Sequence, residues 1–426
     1  MGDGYYEFVQ VPNKYNQLEK QLHPRQKKTI YDDHGKGFFE HISKYKAFCN
    51  VPDHVHYQQV ISNCFNRYFE MEHEPDEGDC SLTFEFLRHI FGEQYELGLD
   101  YVQLLYHRPQ QILPILCLVS IENGTGKSTF VKWLKAIFTN NCTVIGNAEF
   151  SDNFNAGWAT RLIIACEESF IEKKVVVEKI KALSTADKIV MNQKSRDHVE
   201  VDFFGKFVLA SNNEKDFIIA GQRDIRYWVR KIPLPLSENV KLQNELAEEI
   251  PYFLHFLNRR EMYSKHKSRM WFSKDDIRTE AFERLVEYNL PRVVKEIREK
   301  VREFFINFDD AELRVTSKQL EMALDKRWDS TYIHKSCEEH FGIDFLRNLD
   351  GDGVLEWCTY KWKYYPEGSG DDGIEKKDKR RGQVLVFKRE DFMTDFEIKE
   401  LHYLPEPEPI QPVQKELEFS EDVVPF

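Results

Sequence analysis

The 426-residue chain lacks any apolar run near the roughly 18 residues that a bilayer-spanning helix needs. Its first residues, MGDGYYEFVQ, lack the basic-then-apolar order of a secretory signal, and Tyr6 stands where N-myristoylation wants Ser or Thr. No membrane association is expected, and the location expected is cytoplasmic. The eight cysteines contain no C-x-x-C pair, which argues against a zinc site or a disulfide framework. Several lie in apolar runs such as ILCLV and LIIACEES, as buried thiols in a reducing compartment do. Positive charge is also short: 59 Lys and Arg stand against 72 Asp and Glu, a net −13. Nothing draws the whole chain to nucleic acid, so any nucleic-acid surface must be a local basic patch. There are no internal repeats.

What is present changes texture along the chain. Residues 1 to about 60 mix polar, aromatic and Pro/His-containing stretches without a strong period. From Tyr57 to Tyr106 the spacing predicts helices: YQQVISNCFNRYFEM, SLTFEFLRHIFG and LGLDYVQLLYHRP. ILPILCLVS then reads as a strand buried on both faces, STFVKWLKAIF as an amphipathic helix, and TVIGN, RLIIACEES and GKFVLASNN as further strands. Strands alternating with helices predict an α/β fold with a parallel sheet. Beyond residue 261 come three helices, beginning with LPRVVKEIREKVREFFINF, and then two strand-like runs around a Gly/Asp/Lys-rich loop, a winged-helix-like order. The expected division is 1–106 mostly helical, 107–260 α/β, 261–404 winged-helix-like, and 405–426 a Pro- and Glu-rich disordered tail.

Five pieces carry chemistry. The first is SIENGTGKSTF, Ser120 to Phe130, between a buried strand and a helix. A phosphate loop needs that setting, because backbone N–H groups and the helix N-terminus hold the phosphates. Asn123, Gly124, Thr125, Gly126, Lys127, Ser128 and Thr129 are the candidate nucleotide contacts. Lys127 would reach the β/γ-phosphates of ATP and Ser128 would ligate Mg²⁺. Ile121 replaces the first glycine of G-x-x-x-x-G-K-[ST], at the loop entrance. The second piece is Glu167-Glu168 at the tip of a buried strand, one to hold Mg²⁺ and one to polarise the attacking water. The third is Asn212, an amide able to orient that water, although Asn-Asn is also a good turn pair. The fourth is KIVMNQKSRDHVEVDFF, a β-hairpin with Lys194, Arg196 and His198 at or near its tip. It is either a grip on DNA or a solvated surface hairpin. The fifth is GQRDIRYWVRKIP, whose Arg223, Arg226 and Arg230 offer a charge-stabilising finger or ordinary salt bridges.

In this order the five resemble the superfamily 3 helicases, AAA+ ATPases of small DNA viruses, phages and mobile elements. Residues 60 to 260 look more closely like the phage and mobile-element primase-helicases, through ENGTGKSTF, FFGKF followed by ASNN, and DIRYWVRKIP. The resemblance implies an AAA+ P-loop core and a ring, expected to be a hexamer, that hydrolyses ATP at subunit interfaces and moves on single-stranded DNA in its channel. It implies an N-terminal collar for oligomerisation and a bacterial host cytoplasm. It places nucleotide and Mg²⁺ binding on Lys127 and Ser128, the acidic pair on Glu167 and Glu168, the sensor on Asn212, the finger on Arg226 with Arg223 second, and the DNA grip on Lys194 or Arg196. No primase region precedes the helicase-like part of this chain, so priming is not expected of it.

Two further stretches bear on partners. EKKDKRR, 375–381, falls in the expected wing loop and supplies local positive charge for a duplex, or serves only as a solubilising loop. The helix around Tyr332 and Lys335 also carries Glu338 and Glu339, which weakens phosphate contact there. The last residues, EFSEDVVPF, resemble the acidic Pro-Phe tip of bacterial single-stranded-DNA-binding proteins, which implies docking to host replication proteins. The function expected is a replicative DNA helicase. The alternatives are an ATP-gated origin-binding initiator with little unwinding, and a DNA-packaging motor.

Overall fold

The first strands fall where the sequence shows no strong period. In the computed structural model of the protein, residues 4–393 are described except 13–17, 153, 168–173, 193–197, 216, 222–223, 236, 238, 309, 325 and 345–383. The chain divides into two compact units, 1–289 and 290–426. In the first, β1 (Tyr5–Pro12) pairs antiparallel with β2 (Leu18–Arg25), and α1 (Lys27–His34) follows. A small sheet then joins β3 (Ala47–Cys49), β4 (Val60–Ile61) and β5 (Cys64–Asn66).

Those last two strands correct the helical reading of YQQVISNCFNRYFEM. Val60 pairs with Phe65 and Ile61 with Cys64, so Ser62-Asn63 is a two-residue hairpin turn. Both turn residues have positive φ, +47° and +63°. Asn tolerates that conformation, and a two-residue hairpin with the right twist demands it. The turn chemistry overrode the apolar spacing.

The helices α2 (Ser81–Phe91) and α3 (Tyr95–His107) form as their spacing predicts, with Gly92 at φ +50° ending α2. Next come β6 (Ile115–Val119), α4 (Lys127–Phe138), β7 (Cys142–Ile145), α5 (Asn147–Ser151), β8 (Ile163–Cys166) and α6 (Lys174–Leu183). The hairpin β9 (Lys188–Met191) and β10 (Val199–Asp202) precedes β11 (Lys206–Ser211) and β12 (Tyr227–Lys231). Helices α7 (Leu242–Glu248), α8 (Ile250–Arg259) and α9 (Glu280–Asn289) close the unit.

Five strands form one parallel sheet in the order β12-β6-β11-β8-β7. Successive side chains point to opposite faces, and both faces are buried. Leu116, Leu118, Val208 and Trp228 enter one core with α2, α3, α4 and α8. Ile115, Cys117, Val119, Leu209 and Val229 enter the other with α6 and α9. Helices cover both faces, so the strands read as continuous apolar runs. The helices α2 and α3, on the expected N-terminal side of residue 107, share the first of these cores with the sheet.

The second unit holds α10 (Arg292–Asn307), β13 (Glu312–Val315), α11 (Ser317–Ala323), α12 (Ser330–Phe341) and β14 (Leu385–Lys388), around Ile297, Val301, Leu313, Ile333 and Phe387. The strand β13, absent from the sequence reading, pairs antiparallel with β14. Thr316 and Gln319 cap α11 reciprocally, and Asp329 caps α12. The expected strand 353–365, the basic loop 375–381 and the tail from 405 lie outside the described residues. Among the described residues no helix is long and apolar enough to cross a membrane.

Candidate functional site

A parallel sheet gathers the ends of all its strands at one edge, and crevices there hold ligands. The loop 120–126 leaves that edge from β6 and runs into α4. Gly124 and Gly126 have φ of +72° and +96°, which bend the loop back over the start of the helix. At Gly126 the φ alone demands glycine, since a Cβ there would make only ordinary contacts with Phe86 and Ile90 of α2. Lys127 is buried and its Nζ donates to Ser120 O at 3.3 Å, Glu122 O at 3.0 Å and Thr125 Oγ1 at 3.1 Å. Burial lowers its pKa, and the Glu214 carboxylate partly offsets this. Ser128 is exposed on the first turn of α4, with Thr129 half-buried beside it. The loop thus offers an ammonium, free helix N–H groups and a hydroxyl, an anion-binding set.

Neighbouring strands add polar groups at the same edge. Asn212, just past β11, donates from Nδ2 to Asn123 Oδ1 of the loop at 3.2 Å. Glu167 follows β8, two strands from β6, or about 10 Å across the sheet. Its Oε1 is buried with no hydrogen-bond partner among the described residues. An orphaned carboxylate oxygen is costly unless a cation or donor meets it. A carboxylate and the Ser128 hydroxyl are oxygen donors, the type that Mg²⁺ takes. Glu168 lies outside the described residues.

Two residues here escaped the sequence reading. Glu214 accepts from Ile121 N at 3.2 Å through Oε1 and pairs with Lys231 Nζ at 3.0 Å through Oε2. It ties the loop entrance, β11 and β12 together, and its only signal was a carboxylate two residues past Asn212. His89 of α2 bonds Thr125 O at 2.9 Å, clamping the loop from behind, and nothing local marked it.

The arginines separate. Arg230 lies inside the fold, its Nη1 2.5 Å from Glu93 Oε1 and 3.1 Å from Gln94 Oε1, so its role is the salt bridge. Arg226 precedes β12 at the opposite edge of the sheet, where its carbonyl accepts from Ile115 N at 2.7 Å. Five strand residues, about 16 Å, separate it from its own loop. Its Nη1 is 3.2 Å from Asp224 Oδ1, and Asp224 is also held by Lys181 at 3.5 Å. Arg223 lies outside the described residues, as do Lys194 and Arg196 at the hairpin tip. His198 is exposed just before β10. The loop-side end of β9 is held by buried Asn155, which donates to Val190 O at 2.9 Å and accepts from Asn192 N at 2.7 Å.

A profile for a family of unknown function (DUF5906) matches residues 118–226, from the end of β6 to Arg226. No curated protein matches the chain. Among solved structures, the apo structure of the NrS-1 C terminal region aligns at a TM-score of 0.54 and 15% identity, over 87% of this chain and 92% of that one. An A-form structure of the same region aligns at 0.52 and 16%, over 77% and 81%. At such identity the likeness is one of fold. A chain titled as JCV Helicase, at a TM-score of 0.28 and 10% identity over 50% of this chain and 60% of that one, carries no argument.

Proposed function

We propose that this protein is an ATP-driven DNA helicase of superfamily 3, the replicative motor of a phage, plasmid or mobile element, working as a hexameric ring. One observation carries the reading. The glycine loop with buried Lys127, the orphaned Glu167 oxygen and the Asn212–Asn123 bond share one sheet edge, while Arg226 stands at the other. A ring that hydrolyses ATP between subunits needs that split, with phosphate contacts on one side and a finger for the neighbour on the other.

In this mechanism Lys127 exchanges its three loop oxygens for β/γ-phosphate oxygens of ATP. Asn123, Gly124, Thr125, Gly126 and Thr129 complete the cradle, mainly through backbone N–H groups. Ser128 and Glu167 would hold Mg²⁺, whose charge would offset that of the phosphate oxygens. Glu168 accepts a proton from the attacking water, and the Asn212 amide orients that water. Arg226 reaches the γ-phosphate bound by the adjacent protomer, with Arg223 in support. Lys194, Arg196 and His198 carry the hairpin's contact with single-stranded DNA in the channel. The second unit serves as a winged helix, and the C-terminal residues dock host replication proteins.

The test is paired. Lys127→Ala should abolish nucleotide binding, while Glu168→Gln should bind ATP and stop turnover. Undiminished ATPase activity in both sinks the assignment. A forked-DNA strand-displacement assay separates a helicase from an initiator that unwinds little.

A further inference from the structure

The segment before residue 70, where the sequence shows no strong period, walls a cavity of about 2480 Å³. It opens among β1, β2, α1, the 36–48 stretch and the β9–β10 strands. Five of its lining residues are large aromatics that remain exposed: Phe8, Tyr31, Phe38, Tyr45 and Phe48, at 37–52%. Such side chains normally bury their rings, and a contiguous exposed set marks a binding surface.

The charge of the lining is opposite to that of the chain. Eight Lys and Arg line the cavity against four Asp and Glu, whereas the chain as a whole has fewer basic than acidic residues. Arg25 is neutralised by Glu7 and Asp33, and Lys188 by Glu200. Among the described residues Lys20, Lys27, Lys36, Lys44 and Lys46 make no salt bridge. Two of them sit over rings, Lys20 4.3 Å from the Phe8 centroid and Lys27 5.7 Å from that of Phe39. This is the local basic patch that an acidic chain would need to meet a polyanion.

We infer that the cavity formed by Phe8, Tyr31, Phe38, Tyr45 and the lysines of residues 20–46 is a binding groove for single-stranded nucleic acid, separate from the nucleotide loop. Exposed rings give stacking platforms for unpaired bases, and interleaved ammonium groups follow the phosphates. A duplex hides its base faces, so the rings would gain nothing from it. An acidic peptide would use the lysines and leave the rings without partners. The inference does not rest on the helicase reading, since it needs neither ATP nor the hairpin tip.

The test is fluorescence anisotropy of a labelled oligodeoxythymidine of about 20 nucleotides, longer than the site sizes of known stacking grooves. The full-length protein is used without nucleotide. Tyr31→Ala with Tyr45→Ala should weaken binding by about 10-fold or more. Lys44→Glu with Lys46→Glu should weaken it and flatten the slope of log affinity against log salt by about 1.4. Both pairs are surface changes, so unfolding midpoints should stay put. Tyr45→Trp should keep affinity, and the fluorescence of the introduced indole should quench along the same isotherm, a signal that only contact at the cavity produces. Competition by oligouridine decides whether the groove takes either sugar or DNA alone. Unchanged affinity in both double variants, an indole signal that stays silent while the Tyr45→Trp protein binds fully, or equal affinity for duplex overturns the inference. Binding lost in Lys127→Ala also overturns it, because the groove would then belong to the nucleotide site. ATP turnover of the groove variants reports on that other site, so either reading can fail alone.

Discussion

Arg226 gives the sharpest prediction, because its place in the sheet forbids it from serving its own protomer. It sits at the start of β12, about 16 Å of strand from the loop that follows β6. If it completes a neighbour's site, Arg226→Ala should lose about 10³-fold or more in turnover while keeping ATP affinity. Lys127→Ala should be equally inactive through loss of binding. Mixing the two inactive proteins should restore activity. In an equimolar ring each site draws its loop from one subunit and its finger from the next. The loop is intact in half the subunits and the finger in the other half, so about one quarter of sites are whole. The assay is steady-state phosphate release from the co-refolded mixture, with differently tagged subunits co-purified to prove that they share rings. About one quarter of the wild-type rate supports the trans assignment. No recovery in demonstrably mixed rings refutes it, as does full activity of a wild-type monomer at all concentrations.

Three further outcomes are expected. Gly126→Ala puts a side chain at φ +96° against Phe86 and should remove nucleotide binding without unfolding the chain, checked by a fluorescent ATP analogue beside circular dichroism. Charge removal at Lys194 and Arg196, or Asn155→Ala beside the loop-side end of β9, should weaken ATP-dependent unwinding and spare basal ATPase; the reverse pattern refutes the hairpin's role. Half-buried His54 sits between Tyr106 O at 2.7 Å and Tyr68 Oη at 2.5 Å, and burial pushes its pKa down to about 4, with the Tyr106 hydrogen bond and Asp53 opposing and His107 and Lys206 adding. The unfolded chain takes up that proton nearer pH 6.5, so the contribution is present above 6.5 and lost as pH falls toward 4. Urea denaturation should show about 2 kcal/mol lost between pH 7.5 and 5 through this group. His54→Asn should flatten that part, and an unchanged pH profile would count against the neutral imidazole.

The amino-acid sequence by itself determined the parallel α/β core, the strand–loop–helix around Lys127 and the hairpin at 188–202. All three rest on local signals: continuous apolar runs for strands buried on both faces, helical spacing in STFVKWLKAIF, and alternation on either side of NQKSRD. Tertiary structure decided what depends on residues distant in the chain. The N-terminus of α2 is capped by Glu249, which accepts from Thr83 N at 2.7 Å and Leu82 N at 3.3 Å, and no pattern near residue 81 encodes that partner. The clamp of His89 on Thr125, the link of Glu214 to the loop entrance, and the distance of Arg226 from its own loop all follow from which strands lie side by side. The β12-β6-β11-β8-β7 order is a matter of packing, on which local propensity is silent. The aromatic groove is the extreme case: its residues look irregular in sequence because strands, turns and a short helix each contribute a few, and only folding collects them around one cavity.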